Sequence, residues 1–130
     1  MKPTGLKGVI HWITLWCMQA IVELSEFQKR VPSRLSDEEK VSLINYLAAH
    51  PASGDLIRET GGLRKLRWAA KGKGKSGGVR VIYYFHSEEI PLFLLTLFSK
   101  GEKANLSKAE RNELAKLTEL LKSTYGGSHE

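Results

Sequence analysis

Eight basic side chains lie within residues 58–80 of this 130-residue chain, and Glu59 is the only acid among them. The whole chain has 20 basic and 14 acidic residues, a formal net charge of +6, so nearly all of the excess belongs to this window. Clustered guanidinium and ammonium groups bind phosphate oxygens and are typical of surfaces that bind nucleic-acid backbones. The window therefore favours a phosphate-bearing partner. Its basic residues are Arg58, Arg64, Lys65, Arg67, Lys71, Lys73, Lys75 and Arg80.

The spacing of these residues predicts that several of them share one face of a β-sheet. In the segment LRKLRWA, Lys65 and Arg67 alternate with apolar residues, which is the pattern of a strand with one face in the core. The next strand, GVRVIYYF, carries Arg80 and Tyr84 on one side. For any single residue a solvated, charged sheet face is the better interpretation. For the whole set we favour a concave basic surface that clamps the backbone of RNA or DNA. Further lysines lie in the loop between these strands and after a third strand: Lys71, Lys73, Lys75, Lys100 and Lys103.

Other chemistries have little support in the sequence. The segment AAKGKGKS at residues 69–76 loosely matches a phosphate-binding P-loop, but a strand follows it where that motif needs a helix N-terminus. Cys17 has no partner that would activate it, and the paired acids at residues 88–89 lie in a turn. We therefore expect neither a metal nor an organic cofactor. The histidines have no metal-ligand spacing: they are His11, His50, His86 and His129.

The first elements that position the basic residues can be predicted from helix caps and periodicity. QAIVEL, at residues 19–24, predicts a strand. The segment SEFQ at residues 25–28 predicts a capping box and a short helix that ends before Pro32. Ser36 and Glu39 predict a second capping box and a longer helix. The apolar face of that helix is predicted to contain Val41, Ile44, Leu47 and Ala48.

Three strands and a last helix follow. GGLRKLRW and GVRVIYYF predict two strands, and the tip SEEIP separates the second from LFLLTLF. LFLLTLF is apolar without alternation, which indicates a central strand covered on both faces, and we expect it to pair antiparallel with its predecessor. Ser107 and Glu110 predict a third capping box. The order β-α-α-β-β-β-α predicts one α+β domain over residues 18–125, with a flexible tail at residues 126–130. The last helix is predicted to bury Leu114, Leu117 and Leu121.

The N-terminus superficially resembles a signal peptide at residues 9–22. Polar residues break this apolar stretch, it lacks a small-residue cleavage site, and it is shorter than the ~20 apolar residues of a membrane span. We interpret residues 1–17 as an extension, or as an over-called translation start if Met18 is the natural one. We therefore expect a cytoplasmic protein with a reduced thiol and no membrane attachment.

The segment GGLRKLRWAAKGKGKSGGVRVIYYF, followed by a hydrophobic strand and K-x-E, resembles the HigB branch of the RelE/ParE toxin superfamily. The resemblance covers roughly residues 18–123. It implies a toxin of a type II toxin–antitoxin pair that enters the ribosomal A site and cuts mRNA there. It also implies a neighbouring helix-turn-helix antitoxin of the HigA type. The implied fold is a small curved, mainly antiparallel sheet with helices packed on one side and the active groove on the other.

The resemblance implies catalytic residues as well. Metal-independent RNA cleavage by the 2′-hydroxyl needs a base, stabilisation of charge at phosphorus and an acid for the 5′-oxygen. This family relies on clustered basic residues for these tasks. Arg80 matches the family's phosphate-stabilising arginine, and Lys65 and Arg67 correspond to basic groups on the preceding strand. A lysine held among other cations can act as a base.

The chain departs from the RelE pattern near its C-terminal end. Where RelE proteins carry a further arginine and then a tyrosine, this chain has Gly101 and Ser107. Tyr84 is then the candidate replacement for the acid, and Lys100 and Lys103 take part of the missing role. The residues expected to bind RNA are Arg64, Lys71, Lys73, Lys75, Lys100 and Lys103.

Three functions remain open at this point. The first is an RNA-cleaving toxin that acts on translating ribosomes, and the density of basic residues favours it because ribosomal RNA and mRNA are both polyanions. The second, within the same superfamily, is a ParE-like toxin that binds DNA gyrase and cuts nothing. The third is a non-catalytic module that binds nucleic acid.

Overall fold

The structure, a computed structural model, describes residues 19–70, 74–103 and 105–126, with only the backbone at residues 70, 74–77 and 126. The predicted extension, Met18 and most of the predicted tail lie outside the described residues. Five strands are described: β1 (Ile21–Glu23), β2 (Asp55–Leu56), β3 (Leu63–Ala70), β4 (Gly74–Tyr84) and β5 (Leu92–Ser99). They form one sheet in the order β1-β5-β4-β3-β2. β1 pairs parallel with β5 and the other neighbours pair antiparallel, which confirms the predicted mainly antiparallel sheet.

Three helices complete the predicted order of elements, to which the structure adds the two-residue strand β2. None of the helices in the described ranges is long and apolar enough to cross a membrane. A 3₁₀ turn, Val31–Ser33, follows the first helix, and a π-helical turn, Lys122–Gly126, follows the last one. The helices are α1 (Ser25–Arg30), α2 (Asp37–Ala49) and α3 (Lys108–Leu121).

The caps agree with the sequence at two helices and differ at the third. The hydroxyl oxygens of Ser36 and Ser107 each accept a hydrogen bond from a backbone N–H three residues later, at 3.1 Å, so the capping boxes of α2 and α3 are confirmed. The capping box predicted for α1 is wrong. Ser25 is already the first helical residue, and the N-cap position is Leu24, whose side chain has no oxygen to accept a bond.

Helices cover both faces of the sheet. α1 and α2 pack on the face that contains Val81, where Phe27 and Leu43 join it in one buried cluster. We call this the Val81 face. α3 packs on the opposite face, the Ile82 face, where Leu121 and Ile82 belong to a second cluster. The sequence predicted helices on one side only. The third helix lies on the other side because its leucine stripe needs an apolar surface, which the Ile82 face provides through Leu63, Phe93 and Leu95.

Two further details refine the predicted elements. β5 lies between β1 and β4 and is buried along most of its length, which confirms a central strand covered on both faces. Val41, predicted for the apolar face of α2, is instead 56% exposed, and Leu43 is buried in its place. β4 begins at Gly74, four residues earlier than the predicted strand.

Candidate nucleic-acid interface

Three cations from different parts of the chain meet at one end of the sheet. Arg67 in β3 lies directly opposite Arg80 in β4. Opposed residues of an antiparallel pair project from the same face, with Cβ atoms about 5 Å apart. Lys100 follows β5, and its backbone N–H donates to the carbonyl oxygen of Gly78 at 3.2 Å. These residues line a cleft of about 430 Å³, which we call the cationic cleft. None of the described residues that line it is acidic: they are Arg67, Trp68, Ala69, Gly78, Val79, Arg80 and Lys100.

Arg80 is nearly buried in this cleft and has no counter-ion among the described residues. The residue is 9% exposed. Its Nε has no hydrogen-bond partner among the described residues, and none of the ion pairs found there includes it. A buried guanidinium nitrogen without a partner is costly, and the like charge of Arg67 directly opposite adds to the cost. A bound anion would remove both penalties, so the geometry is suited to binding an anion.

The position of α3 explains why the cleft is open. Arg80, Ile82 and Tyr84 follow one another at alternate positions along the Ile82 face. α3 covers the end of this face that contains Tyr84, and the described residues that line the cleft around Arg80 include none from α3. Beneath the cleft, on the Val81 face, Val79 and Trp68 pack on the core. The cleft therefore lies on a part of the sheet whose opposite face packs on the core.

Lys65 and Lys103 lie on the cleft side of the molecule, but both already have partners. Lys65 occupies the same face as Arg67, two residues earlier in β3, and its Nζ donates to Oδ1 of Asn105 at 2.9 Å. Lys103 pairs with the Glu110 carboxylate, and its Nζ lies 5.0 Å from the centre of the Phe98 ring. The predicted roles of Lys65 in catalysis and of Lys103 in RNA binding stay predictions. Neither residue lines the cleft, whose cations are Arg67, Arg80 and Lys100.

Arg64 projects from the opposite face of the sheet. It is paired with Tyr83 across the β3–β4 ladder, and Tyr83 belongs to the cluster on the Val81 face. Nη1 of Arg64 donates to the carbonyl oxygens of Ala52 at 3.1 Å and Gly54 at 2.7 Å. The structure thus gives Arg64 a role in holding the loop before β2 and does not bring it to the cationic cleft.

Tyr84 is also separated from the cleft. It lies four residues after Arg80 in β4, about 13 Å along the strand at ~3.3 Å per residue. It is 1% exposed, and its hydroxyl has no hydrogen-bond partner among the described residues. Burial, with a smaller contribution from the Glu119 carboxylate, raises the pKa of Tyr84, which makes it a poorer acid. The structure does not support its predicted role as proton donor in this cleft.

Replacement of Tyr84 by Phe tests this placement. The sequence resemblance implies cleavage of mRNA, and we expect that activity of the Tyr84→Phe protein to stay within about twofold of wild type, since the hydroxyl lies outside the cleft. Its free energy of unfolding should be unchanged or higher by up to about 1 kcal/mol, because a buried hydroxyl without a partner is removed. Single-turnover cleavage and urea unfolding measure the two quantities. A loss of cleavage of more than about tenfold in a protein that stays folded would show that Tyr84 is the proton donor after all.

Three of the lysines that the sequence predicts to bind RNA have no described side chain. Lys71 and Lys73 lie outside the described residues, as does the side chain of Lys75. Within the described ranges, no group of three His, Cys, Asp or Glu side chains is arranged to hold a metal ion.

Sequence reasoning missed one ion pair in the turn that follows β5. Glu102, in the turn after β5, binds Arg34 through its carboxylate, with Nε of Arg34 2.9 Å from Oε1. The one acid inside the basic KGEK segment, residues 100–103, could have indicated an ion pair there. Its partner could not be found from the sequence because the two residues are 68 positions apart.

A comparison with protein families agrees with this architecture. Residues 19–126 match the family described as the RelE toxin of the RelE/RelB toxin-antitoxin system. The match includes every described strand and helix, as well as the cationic cleft. It confirms the superfamily that the sequence motifs indicated and implies an antitoxin as partner. The chain therefore belongs to the RelE toxin family of toxin–antitoxin systems.

Proposed function

We propose that this toxin is a ribosome-dependent mRNA endonuclease of the HigB-like branch, which stops translation in the cytoplasm. The observation that carries the proposal is the nearly buried guanidinium of Arg80, whose Nε has no hydrogen-bond partner among the described residues. It lies with Arg67 and Lys100 in a cleft whose described lining contains no acid. The cleft volume of about 430 Å³ is within the range of small-ligand sites, with room for a phosphodiester and its ribose.

The two arginines supply the charge stabilisation that the reaction needs. When the 2′-oxygen of RNA attacks the neighbouring phosphorus, negative charge accumulates on the non-bridging oxygens. Guanidinium groups bind such oxygens with paired hydrogen bonds, and Arg67 and Arg80 project from directly opposite positions of one face. Because the charge is larger in the transition state than in the substrate, this pair accelerates the reaction in addition to binding RNA.

Lys100 is the group we assign to proton transfer. It is exposed at the mouth of the cleft, on a flexible side chain that follows β5. As the bond between phosphorus and the 5′-oxygen breaks, the Lys100 ammonium donates a proton to that oxygen. The proton of the attacking 2′-hydroxyl passes to water at the open mouth. The products are a 2′,3′-cyclic phosphate and a 5′-hydroxyl end, and the ribosome holds the mRNA in the geometry for attack.

Expression of the gene without its antitoxin tests the function. We expect rapid arrest of translation and new mRNA ends that are phased with the codons, and no such ends with Arg80→Ala. A HigA-like helix-turn-helix antitoxin, supplied from the neighbouring gene, should restore growth. DNA breaks without phased mRNA ends would favour the gyrase-binding alternative. Absence of toxicity would favour a non-catalytic relative that binds nucleic acid.

A further inference from the structure

We infer that Glu102 is a positioning residue, which folds the turn after β5 so that Lys100 faces Arg80 in the cationic cleft. The inference rests on the proposed function, in which Lys100 acts on the RNA. It is carried by a set of hydrogen bonds that converge on one carboxylate, which we call the Glu102 clamp: Glu102, Arg30, Arg34 and Ser99.

The carboxylate first closes the turn on its own backbone. Oε1 of Glu102 accepts the backbone N–H of Ser99 at 2.6 Å. In return, the Ser99 carbonyl oxygen accepts the N–H of Glu102 at 3.0 Å and that of Lys103 at 3.4 Å. Lys100 lies between Ser99 and Glu102, so the backbone on both sides of it is fixed by these bonds.

Two arginines then tie the turn to the body of the protein. Arg34 binds both oxygens of Glu102, through Nε at 2.9 Å and through Nη2. Nη2 of Arg30 donates to Oε2 at 3.3 Å, while its Nε donates to the Leu97 carbonyl oxygen in β5 at 2.9 Å. Forked arginine–carboxylate contacts fix orientation as well as distance. The two arginines follow or belong to α1, whose Phe27 is fully buried in the core.

The electrostatics keep the clamp charged. The Arg34 hydrogen bonds, followed by the Ser99 N–H, lower the pKa of Glu102 to about 2. A lowered carboxylate pKa means that the ion pair contributes its stabilisation above pH ~4.5 and loses it only as the pH falls towards 2. Glu102 is therefore ionised at every pH at which ribosomes work.

The clamp is connected to the cleft through one further bond. The N–H of Lys100 donates to the Gly78 carbonyl at 3.2 Å, and Gly78 is two residues before Arg80 in β4. The position of Lys100 relative to Arg80 thus depends on the path of the turn. Ion pairs on exposed surfaces contribute little to stability, so four hydrogen bonds to one half-exposed carboxylate are better explained by the need to hold this turn in place.

A double-mutant experiment tests the inference. Wild type, Glu102→Ala, Lys100→Met and the double variant are compared in single-turnover cleavage on programmed ribosomes and in affinity for a short single-stranded RNA. Glu26→Ala is the matched control, because Glu26 binds Nη1 of Arg30 at 3.3 Å and makes no described hydrogen bond to residues 99–103. Amide hydrogen exchange of Ser99 and Lys100 reports on the turn directly.

We expect Lys100→Met to lower the cleavage rate about 10²-fold and Glu102→Ala about tenfold, each with little change in the KM for ribosomes. The double variant should be no slower than Lys100→Met, because Glu102 acts through Lys100. Exchange of the Ser99 and Lys100 amides should accelerate at least about tenfold in Glu102→Ala. Glu26→Ala should resemble wild type in all three measurements.

Different outcomes overturn the inference and the proposed function. The positioning role would be overturned if the double variant lost the product of the two single-variant factors in cleavage rate. It would also be overturned, whatever the reaction is, if the Lys100 amide exchanged at the wild-type rate in Glu102→Ala. Equal losses in Glu26→Ala would do the same. A wild-type protein that cuts no mRNA would overturn the proposed function, while non-additive effects on RNA affinity together with faster amide exchange would still support the clamp.

Discussion

Replacement of Arg80 by Met is expected to abolish toxicity and to stabilise the folded protein at the same time. Loss of one group that stabilises transition-state charge lowers the cleavage rate about 10²–10³-fold. The same change removes a cation that is 9% exposed, lacks a described partner and lies opposite Arg67. Replacement of a buried charge by an apolar side chain of similar length should raise the free energy of unfolding by about 1 kcal/mol.

A lower cleavage rate together with a higher free energy of unfolding distinguishes an arginine needed for function from one needed for the fold. Urea unfolding and single-turnover cleavage are measured for Arg80→Met, for Arg80→Lys and for the control Arg58→Met. Arg58 is an exposed arginine of the same basic window, outside the cleft, so its replacement should leave stability within about 0.5 kcal/mol and the cleavage rate near wild type. Arg80→Lys keeps the charge but loses the fork, and should regain only part of the rate. A marked loss of stability in Arg80→Met would instead show that Arg80 holds the fold together.

The parts of the fold that depend on local pattern were predictable from the sequence. The capping boxes at Ser36 and Ser107, and the apolar run of β5, are contained in short segments. The parallel pairing of β1 with β5 was not, because it joins residues about 70 positions apart, such as Ile21 and Leu92. The strand β2 is only two residues long and exposed, so no periodicity indicates it.

The candidate site shows the same division between local and distant information. Alternation along the strands placed Arg67, Arg80 and Tyr84 on one face, and the observed register agrees. The sequence could not show that α3 would divide this face, with Tyr84 beneath the helix and Arg80 in the cleft beyond it. Nor could it show which cations would already be paired, since Lys65 binds Asn105, 40 residues away.

The structure shows that the basic residues of positions 58–80 lie in different surroundings. The charge of this window predicted a concave basic surface that binds the backbone of RNA or DNA. At least one of its residues has another role, since Arg64 holds a loop on the opposite face. In our proposal the cation that acts on phosphate is Arg80, which is 9% exposed and has no described counter-ion. Total charge therefore predicts the kind of partner, whereas burial without a partner indicates the reactive position.

Gly78 provides the second prediction with a large effect, because it sets the spacing of the two strands that carry the arginines. A Cβ atom added at Gly78 would lie 2.5 Å from the carbonyl oxygen of Trp68 and 3.3 Å from Cα of Ala69. Both are backbone atoms, at the irregular register between Trp68 and Ala70, so neither can move aside without shifting β3. We expect Gly78→Ala to lower the free energy of unfolding by about 2–3 kcal/mol.

The effect on cleavage should be larger than the loss of folded protein explains. The Gly78 carbonyl also accepts the N–H of Lys100, so a displaced β3 would move Arg67, Arg80 and Lys100 relative to one another. A displacement of about 1 Å is enough to lower the rate about 10²-fold. Chemical unfolding and single-turnover cleavage at a temperature where Gly78→Ala is fully folded separate the two effects. Gly101→Ala is the matched control, since nothing lies within 4 Å of a Cβ there, and its stability should stay within about 0.5 kcal/mol of wild type. If the folded Gly78→Ala protein cleaves at the wild-type rate, the spacing of the two strands does not determine the geometry of the cleft.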